Sequence, residues 1–359
     1  MMRALLAAGV LLALLDGCGG GSSSPVMGPL PPPPPAKQGK YFTHVVILVQ
    51  ENRTFDNLFA TFPGADGTTL GKTHNGTMRL RKSNLESSLS PNNGYPYWLR
   101  DYNHGKMNGF DTVPIGKVPG TYVYQYVDPA QIRPYWQLAR HYVIGDHVFQ
   151  TQGSGSFTAH QDLIRGGTDI NASDSLIDFP TKAPWGCDSP QGTVTSLVTA
   201  DNHYYQGAGP FPCLSYRTLR DLLDADDISW RYYTPSLGNF AGNLWNAFDA
   251  IAAVRNGPEW SSNVVSPETS VFQDIKRNTL PAVSWVIPDY QNSDHPGDNS
   301  DTGPSWVAQV VNAIGESPAW DSTAIVVIWD DWGGWYDHVR PPGSRTFGGL
   351  GFRVPMIAV

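Results

Sequence analysis

The stretch TAIVVIWDDWGGWYDH, from Thr323 to His338, restricts most tightly what this chain can fold into. Ala324 to Trp329 is an unbroken apolar run rich in β-branched side chains, and Gly333 and Gly334 follow closely behind it. A run this short and this apolar, bounded by glycine, predicts a strand buried in a parallel sheet. In open α/β sheets, ligands bind just beyond the carboxyl ends of such strands. Asp330 and Asp331 stand at that end, with Asp337 and His338 a few residues on. Two adjacent carboxylates in apolar surroundings repel each other and are costly to desolvate, whereas a cation neutralises both. The pair therefore reads either as half of a metal site or as a solvated strand end where one Asp caps a helix.

A second stretch repeats the pattern. Thr43 to Gln50 (THVVILVQ) has a continuous apolar centre and runs straight into Glu51, Asn52, Arg53, Thr54, Phe55 and Asp56. Carboxylate and carboxamide oxygens suit a hard or borderline divalent ion, although Asn52 or Asp56 serves equally well as a helix cap. Further on, Gln150 to Gln161 (QTQGSGSFTAHQ) follows the strand-like run 142–149. Glycines between serines permit a sharp strand-to-helix turn that exposes a hydroxyl and aims helix amides at an anion; the same pattern also caps an ordinary helix. His104, within a loop-rich region from Pro63 to Val127, is not singled out by its position.

Strands are also expected at 229–234, 283–288 and 353–359, and helices at 134–140, 215–226, 241–254, 267–277 and 304–316. Such alternation predicts an α/β fold, a three-layer sandwich around a mostly parallel central sheet with loop-rich insertions. The last strand, Arg353 to Val359, reaches the end of the sequence, which suggests a C-terminally truncated domain. Residues 172–213 read as loop, and Cys187 and Cys213 form an even pair suited to a disulfide in an oxidising compartment.

The N-terminus points to export. Arg3 precedes the apolar run Ala4 to Leu15, which is too short to span a bilayer. Leu15-Asp16-Gly17-Cys18 then resembles a bacterial lipoprotein signal in which Cys18 carries lipid, so residues 1–18 are a lipoprotein-type signal; an ordinary secretory signal is the alternative. Residues 19–40, Gly/Ser-rich and then Pro31 to Pro35, form a tether, and the folded domain is expected over 41–359. The expected location is a membrane-anchored lipoprotein, periplasmic or on the cell surface. A net charge of −8 with no Lys/Arg cluster excludes a nucleic-acid binder. An acidic protein acting on an anionic substrate needs local positive charge, which again favours a divalent metal. The 12 tryptophans and 37 glycines suggest a loop-rich protein with aromatic-lined surfaces.

Four motifs occur in order: Glu51 to Asp56, Gly105 to Phe110 (GKMNGF), Asn292 to Pro296 (NSDHP), and Trp329 to Val339 with Pro341-Pro342. Together they resemble the bacterial phosphoesterase family that holds phosphatidylcholine-type phospholipases C and related acid phosphatases, from about Tyr41 to Val359. The resemblance implies an alkaline-phosphatase-like α/β fold, a metal-assisted site and a phosphorylated Ser or Thr nucleophile. It implies Glu51, Asn52, Asp330 and Asp331 as metal ligands. Ser156 matches the nucleophile in a Ser-Phe-x-x-His-Gln run; Ser154-Gly155 replace the usual Gly-Pro, Ala159 replaces an Asn, and Ser154 and Thr158 remain as alternatives. His104, His295 and His338 match histidines near the phosphate, His295 or His338 to protonate the leaving alcohol and His104 to hold a phosphate oxygen. The expected substrate is a phosphate ester, with phospholipid among the candidates given the lipid anchor and the tryptophans. A broad acid phosphatase is the alternative within the class, and a non-catalytic surface-binding lipoprotein the alternative outside it.

Overall fold

The computed structural model of the chain describes residues 41–343 and 347–359, so the signal and tether expected over 1–40 lie outside the described residues. Its centre is one seven-stranded sheet, built from β1 (His44–Gln50), β2 (Val143–Gly145), β3 (Trp230–Tyr233), β4 (Val264–Val265), β5 (Val283–Val286), β6 (Thr323–Trp329) and β7 (Met356–Ala358). The strand order is β4-β3-β5-β1-β6-β7-β2. All neighbours pair in parallel except β7, which runs antiparallel to both β6 and β2. The expected mixed α/β fold with a mostly parallel sheet is present.

The two strands that carry the site motifs are direct neighbours. They pair from His44 with Thr323 through to Gln50 with Trp329, so both chains leave the sheet at the same level. Their apolar runs are explained by burial from both sides. Val46, Leu48, Ile325 and Val327 are fully buried, and the alternate residue Val49 joins Trp230, Tyr232 and Trp285 in a cluster with Ile164 and Trp245. Each such side chain contributes roughly 1.5–3 kcal/mol relative to exposure. Helices α2 (Arg133–His141) and α5 (Gly303–Gly315) pack together, and α4 (Ser270–Lys276) packs against α5. Helix α3 (Ser156–Arg165) supplies Ile164 to the Val49 cluster, and α1 (Phe55–Phe59) follows β1 directly.

Several expected elements are shorter or differently built. The helix expected at 241–254 is three pieces, Phe240–Trp245, Ala247–Ala250 and Ala252–Arg255, because Asn246 and Ile251 take extended backbone. The break has a cause: the Tyr232 hydroxyl donates to the Trp245 carbonyl and accepts from the Ala247 amide, tying the chain to the sheet there. The strands expected at 142–149 and 353–359 shrink to β2 and β7, and reversed β7 lies between β6 and β2. Residues 172–213, expected as loop, hold a three-stranded antiparallel sheet (Asp174–Ile177, Ser196–Thr199, Tyr204–Tyr205), and Cys187 is bonded to Cys213, 26 residues on. The tryptophans do not make an aromatic surface. Trp230, Trp245, Trp285, Trp329, Trp332 and Trp335 are fully buried, and no tryptophan is among the exposed large apolar side chains. Their bulk fills the core that a chain rich in glycine leaves otherwise thin.

Candidate active site

The parallel register of β1 and β6 brings Glu51-Asn52 beside Asp330-Asp331. The Asp330 amide donates to the Gln50 carbonyl at 2.9 Å, and the Asn52 amide donates to Asp330 Oδ1 at 3.0 Å. Asn52 takes a left-handed backbone (φ 59°), a conformation Asn tolerates better than most residues, and this turns the chain sharply out of the strand. The motif following β5 braces the turn. Glu51 N donates to Ser293 O at 2.8 Å, while Arg53, fully buried, donates through Nε and Nη2 to Asp294 O at 2.9 and 2.7 Å. Two motifs distant in sequence thus hold each other in place.

Helix α3 brings the hydroxyl. Gly155 caps it in extended backbone and Ser156 is its first residue. Ser156 Oγ donates to Asp331 Oδ2 at 3.0 Å and reaches Asn52 Oδ1 at 3.4 Å. The two other hydroxyls considered from the sequence are engaged elsewhere: Thr158 Oγ1 donates to Ser154 Oγ at 2.6 Å, and Ser154 Oγ accepts from the Asp178 amide at 2.7 Å. Residues four apart share a helix face, so His160 lies on the same side as Ser156. His160 Nε2 is 2.8 Å from Glu51 Oε1 and 3.7 Å from Asp330 Oδ2. The sequence reading placed His160 only as part of the nucleophile run. The Ser-x-x-x-His spacing was the available signal, but it means something only once the helix is known to end at the strand termini.

Asn93 is a further residue the sequence reading missed. Its amide donates to both oxygens of Asp331 at 3.0 and 2.9 Å, and Gly333 N adds a third bond at 2.6 Å. Nothing in the sequence near Asn93 marks it, because its partner is 238 residues away.

Electrostatics distinguishes this cluster from an ordinary ion-pair network. Glu51, Asp330 and Asp331 are buried, and all three are pushed well above the usual carboxylate range, first by desolvation and then by their mutual repulsion. Among the described residues the only ion-pair partner of Glu51 and Asp330 is His160, and burial lowers the His160 pKa, favouring its neutral form. Glu51 Oε2, Asp330 Oδ2 and His160 Nδ1 have no hydrogen-bond partner. One ligand atom from each of Glu51, His160 and Asp330 falls within a 4.8 Å set. Buried charge without compensation costs several kcal/mol per ion, and imidazole with carboxylate oxygens is a donor set that divalent metals accept. These residues fit a divalent cation.

A second acidic group shows the contrast. Asp56, Asp337 and His338 also bring ligand-type atoms together, but Arg353 lies among them, with Nε 2.8 Å from Asp337 Oδ1 and Nη2 3.3 Å from Asp56 Oδ1. Its guanidinium already supplies the positive charge. His338 belongs to this group, 2.7 Å from Asp56 and 3.2 Å from Asp66, and no contact joins it to Ser156. His104 is likewise not brought in: it is exposed on the wall of a separate cavity of about 710 Å³ with Tyr102 and Arg340. His295 comes nearer, sharing the Trp245 ring with His160 at 5.7 and 6.3 Å. Burial lowers its pKa to about 4, and Nδ1 is 2.6 Å from the Pro296 carbonyl, so His295 sits neutral with Nε2 as the acceptor nitrogen.

Comparison with known proteins shows the family. The model of the Phosphoesterase family matches residues 42–359, and the chain belongs to that family. A non-hemolytic phospholipase C of Pseudomonas aeruginosa is 27% identical over 326 residues, covering 84% of this chain and 43% of that protein. Phospholipase C A of Mycobacterium tuberculosis is 28% identical over 364 residues, covering 88% of this chain and 67% of that one. The chain thus spans less than half of the first relative and about two thirds of the second. A solved Vibrio parahaemolyticus protein of the alkaline phosphatase superfamily aligns over 94% of this chain and 64% of its own, at 11% identity and a TM-score of 0.38.

Proposed function

We propose that the chain is a metal-assisted phosphoesterase that cleaves phosphate esters, as the names of its phospholipase C relatives suggest, and that it does so through a phosphoserine on Ser156. The observation that carries this is the Ser156 hydroxyl, hydrogen-bonded at 3.0 Å to a buried carboxylate beside two others, Glu51 and Asp330, that each keep a buried oxygen without a hydrogen-bond partner. Glu51, Asp330 and His160 would hold a divalent ion, with Asn52 and Asp331 at its edge next to Ser156. Such an ion, when bound, lowers the pKa of a nearby hydroxyl and offsets the charge of the attacked phosphate.

The chain's own groups account for the rest. Asp331 Oδ2, already the acceptor for the Ser156 hydroxyl, draws off its proton as Oγ attacks phosphorus, and the P–O bond to the ester oxygen breaks, that oxygen leaving as the alcohol with a proton from solvent. Amides of the first turn of α3 face the anion. Water then attacks the phosphoserine, Asp331 returns its proton to the departing Ser156 Oγ, and the proton released by the water passes to solvent. Asn93 and the Gly333 amide hold the Asp331 carboxylate in one orientation throughout.

Metal removal tests the reading. Chelated protein should lose hydrolysis of an aryl phosphate at least a hundredfold and regain it on addition of one divalent metal. Full activity in metal-free protein would exclude the mechanism. Export also fits: the Cys187–Cys213 bond belongs to an oxidising compartment and stabilises by about 3 kcal/mol on loop-closure grounds.

A further inference from the structure

The chain's negative balance reverses between Leu70 and Lys82, where Lys72, Arg79, Arg81 and Lys82 stand without an Asp or Glu in a chain of net charge −8. No run of basic residues marks the stretch in the sequence; the register of a hairpin gathers them. Leu70–Thr73 pairs antiparallel with Gly76–Arg79, Leu70 opposite Arg79, Gly71 opposite Met78 and Lys72 opposite Thr77. Directly opposed residues project from one face, and successive residues from opposite faces. Gly71 and Met78 therefore share the inner face. A Cβ on Gly71 would stand 2.5 Å from the Tyr124 ring, so the backbone lies flat on that ring, and Met78 and Leu80 pack with the cluster that holds Tyr124, Trp332 and Tyr336. Leu70, Lys72, Thr77 and Arg79 share the outer face, and all four are exposed, Leu70 by 51%. Arg81, two residues beyond Arg79 and past buried Leu80, is exposed as well.

These cations are available to a partner. The side chains of Lys72, Arg79 and Arg81 make no ion pair or hydrogen bond among the described residues. The two carboxylates that reach the stretch are engaged by other groups, Asp111 by His74 and Asp128 by Lys82 at 2.7 Å. The hairpin is also held firmly. The Lys72 amide donates to the Tyr336 hydroxyl at 2.9 Å, and its carbonyl accepts from the Tyr124 hydroxyl at 2.7 Å. Tyr336 lies in the turn after β6, and its own carbonyl accepts from Thr54 Oγ1 at 2.8 Å, so the hairpin is tied to both strand ends that carry the site. Three unpaired cations beside an exposed leucine call for a surface that is anionic and also admits an apolar side chain. An anionic bilayer offers both, headgroups for the cations and an interface for the leucine. A nucleic acid would be gripped by stacking on aromatic side chains, and this outer face has none.

We propose that the outer face of this hairpin docks the protein on an anionic phospholipid bilayer, with Lys72, Arg79 and Arg81 on the headgroups and Leu70 in the interface. Such docking is reversible and sensitive to salt, and it supplements a covalent anchor without replacing one. It does not depend on the phosphoesterase chemistry, and its test reads binding alone.

The full chain carrying Cys18→Ser and Ser156→Ala, which has no lipid anchor and lacks the proposed nucleophile, is titrated with two kinds of vesicle. One is phosphatidylcholine alone, the other an equal mixture with phosphatidylglycerol. At low salt the mixed vesicles are expected to bind at least tenfold more tightly, because each cation at an anionic leaflet tightens binding roughly fivefold. The preference should vanish in about 0.5 M salt, where such charges are screened. In Lys72→Gln/Arg79→Gln/Arg81→Gln, all at exposed positions, it falls to near parity; the single variants, each losing roughly fivefold, replace the triple one if it does not fold. Leu70→Ser should weaken binding severalfold. Equal binding of the two vesicles by the starting protein overturns the proposal, as does a preference that survives in the folded glutamine variants. Unchanged binding in Leu70→Ser, or a DNA duplex bound as tightly as the mixed vesicles, marks a general polyanion site and overturns the bilayer as partner.

Discussion

Asp331 has both carboxylate oxygens committed, to Asn93, Gly333 and Ser156, whereas Glu51, Asp330 and His160 each retain an unpartnered buried atom. That division, one carboxylate holding the Ser156 hydroxyl and the others keeping an unpartnered oxygen, was half legible in the sequence. Glu51 and Asp330 announce themselves because Asp330 directly follows an apolar run and Glu51 follows one by a single residue, Gln50. His160 and Asn93 do not, since a histidine on a helix and an asparagine in a loop acquire meaning only from the tertiary neighbours they meet. His338 shows the opposite case. It shares a motif with Asp330, but after Gly333-Gly334 the chain carries it to Asp56 and Asp66. Burial there works against its charged form, yet the Asp56 hydrogen bond and the charges of Asp56 and Asp337 outweigh it and raise its pKa. A histidine pKa raised in the folded state stabilises below its unfolded value and loses that contribution as pH rises through its folded value. His338→Asn should therefore cost more stability at pH 5.5 than at pH 8 in urea unfolding. An equal cost at both would show that its charge contributes nothing.

At the level of elements, the site depends on how β1 and β6 end rather than on the strands themselves. Apolar runs made both strands recognisable, but the reversed β7 was not, because three residues carry no direction in their sequence. The helix expected over 241–254 failed for a similar reason: its periodicity was sound, and a single tyrosine hydroxyl on β3 drew the chain out of helical register. The turn after β6 is where strand ends become a site. Gly333 has φ 61°, and a Cβ there would stand 2.0 Å from the Asn52 carbonyl oxygen. The left-handed backbone alone costs about 1–2 kcal/mol for a residue with a Cβ, and the clash pushes Asn52 away from Ser156. Gly333→Ala should lower stability by at least that amount and weaken divalent-metal affinity in the same protein. Wild-type values for both would mean that the two strand ends are not coupled through this turn.

Across the whole molecule, the proposed reading requires an acidic chain to concentrate positive charge where an anionic phosphate would sit, and the parallel sheet brings ligand-type atoms of Glu51, Asp330 and His160 together at one edge. The tryptophans serve that architecture from within the core rather than from the surface. The lipid anchor expected at Cys18 bears on where the enzyme works: Cys18→Ser should move the protein from the membrane to the soluble fraction of fractionated cells, and an unchanged distribution would exclude the anchor. The central claim, a phosphoserine at Ser156, is tested most directly by trapping it. Metal-loaded protein is mixed with a ³²P-labelled phosphate ester, quenched in acid within the first turnover, and digested for peptide mapping. The account predicts acid-stable label on the peptide residue Ser156, absent from Ser156→Ala. Label on Ser154 or Thr158, or steady turnover with no labelled protein at any time, would contradict it.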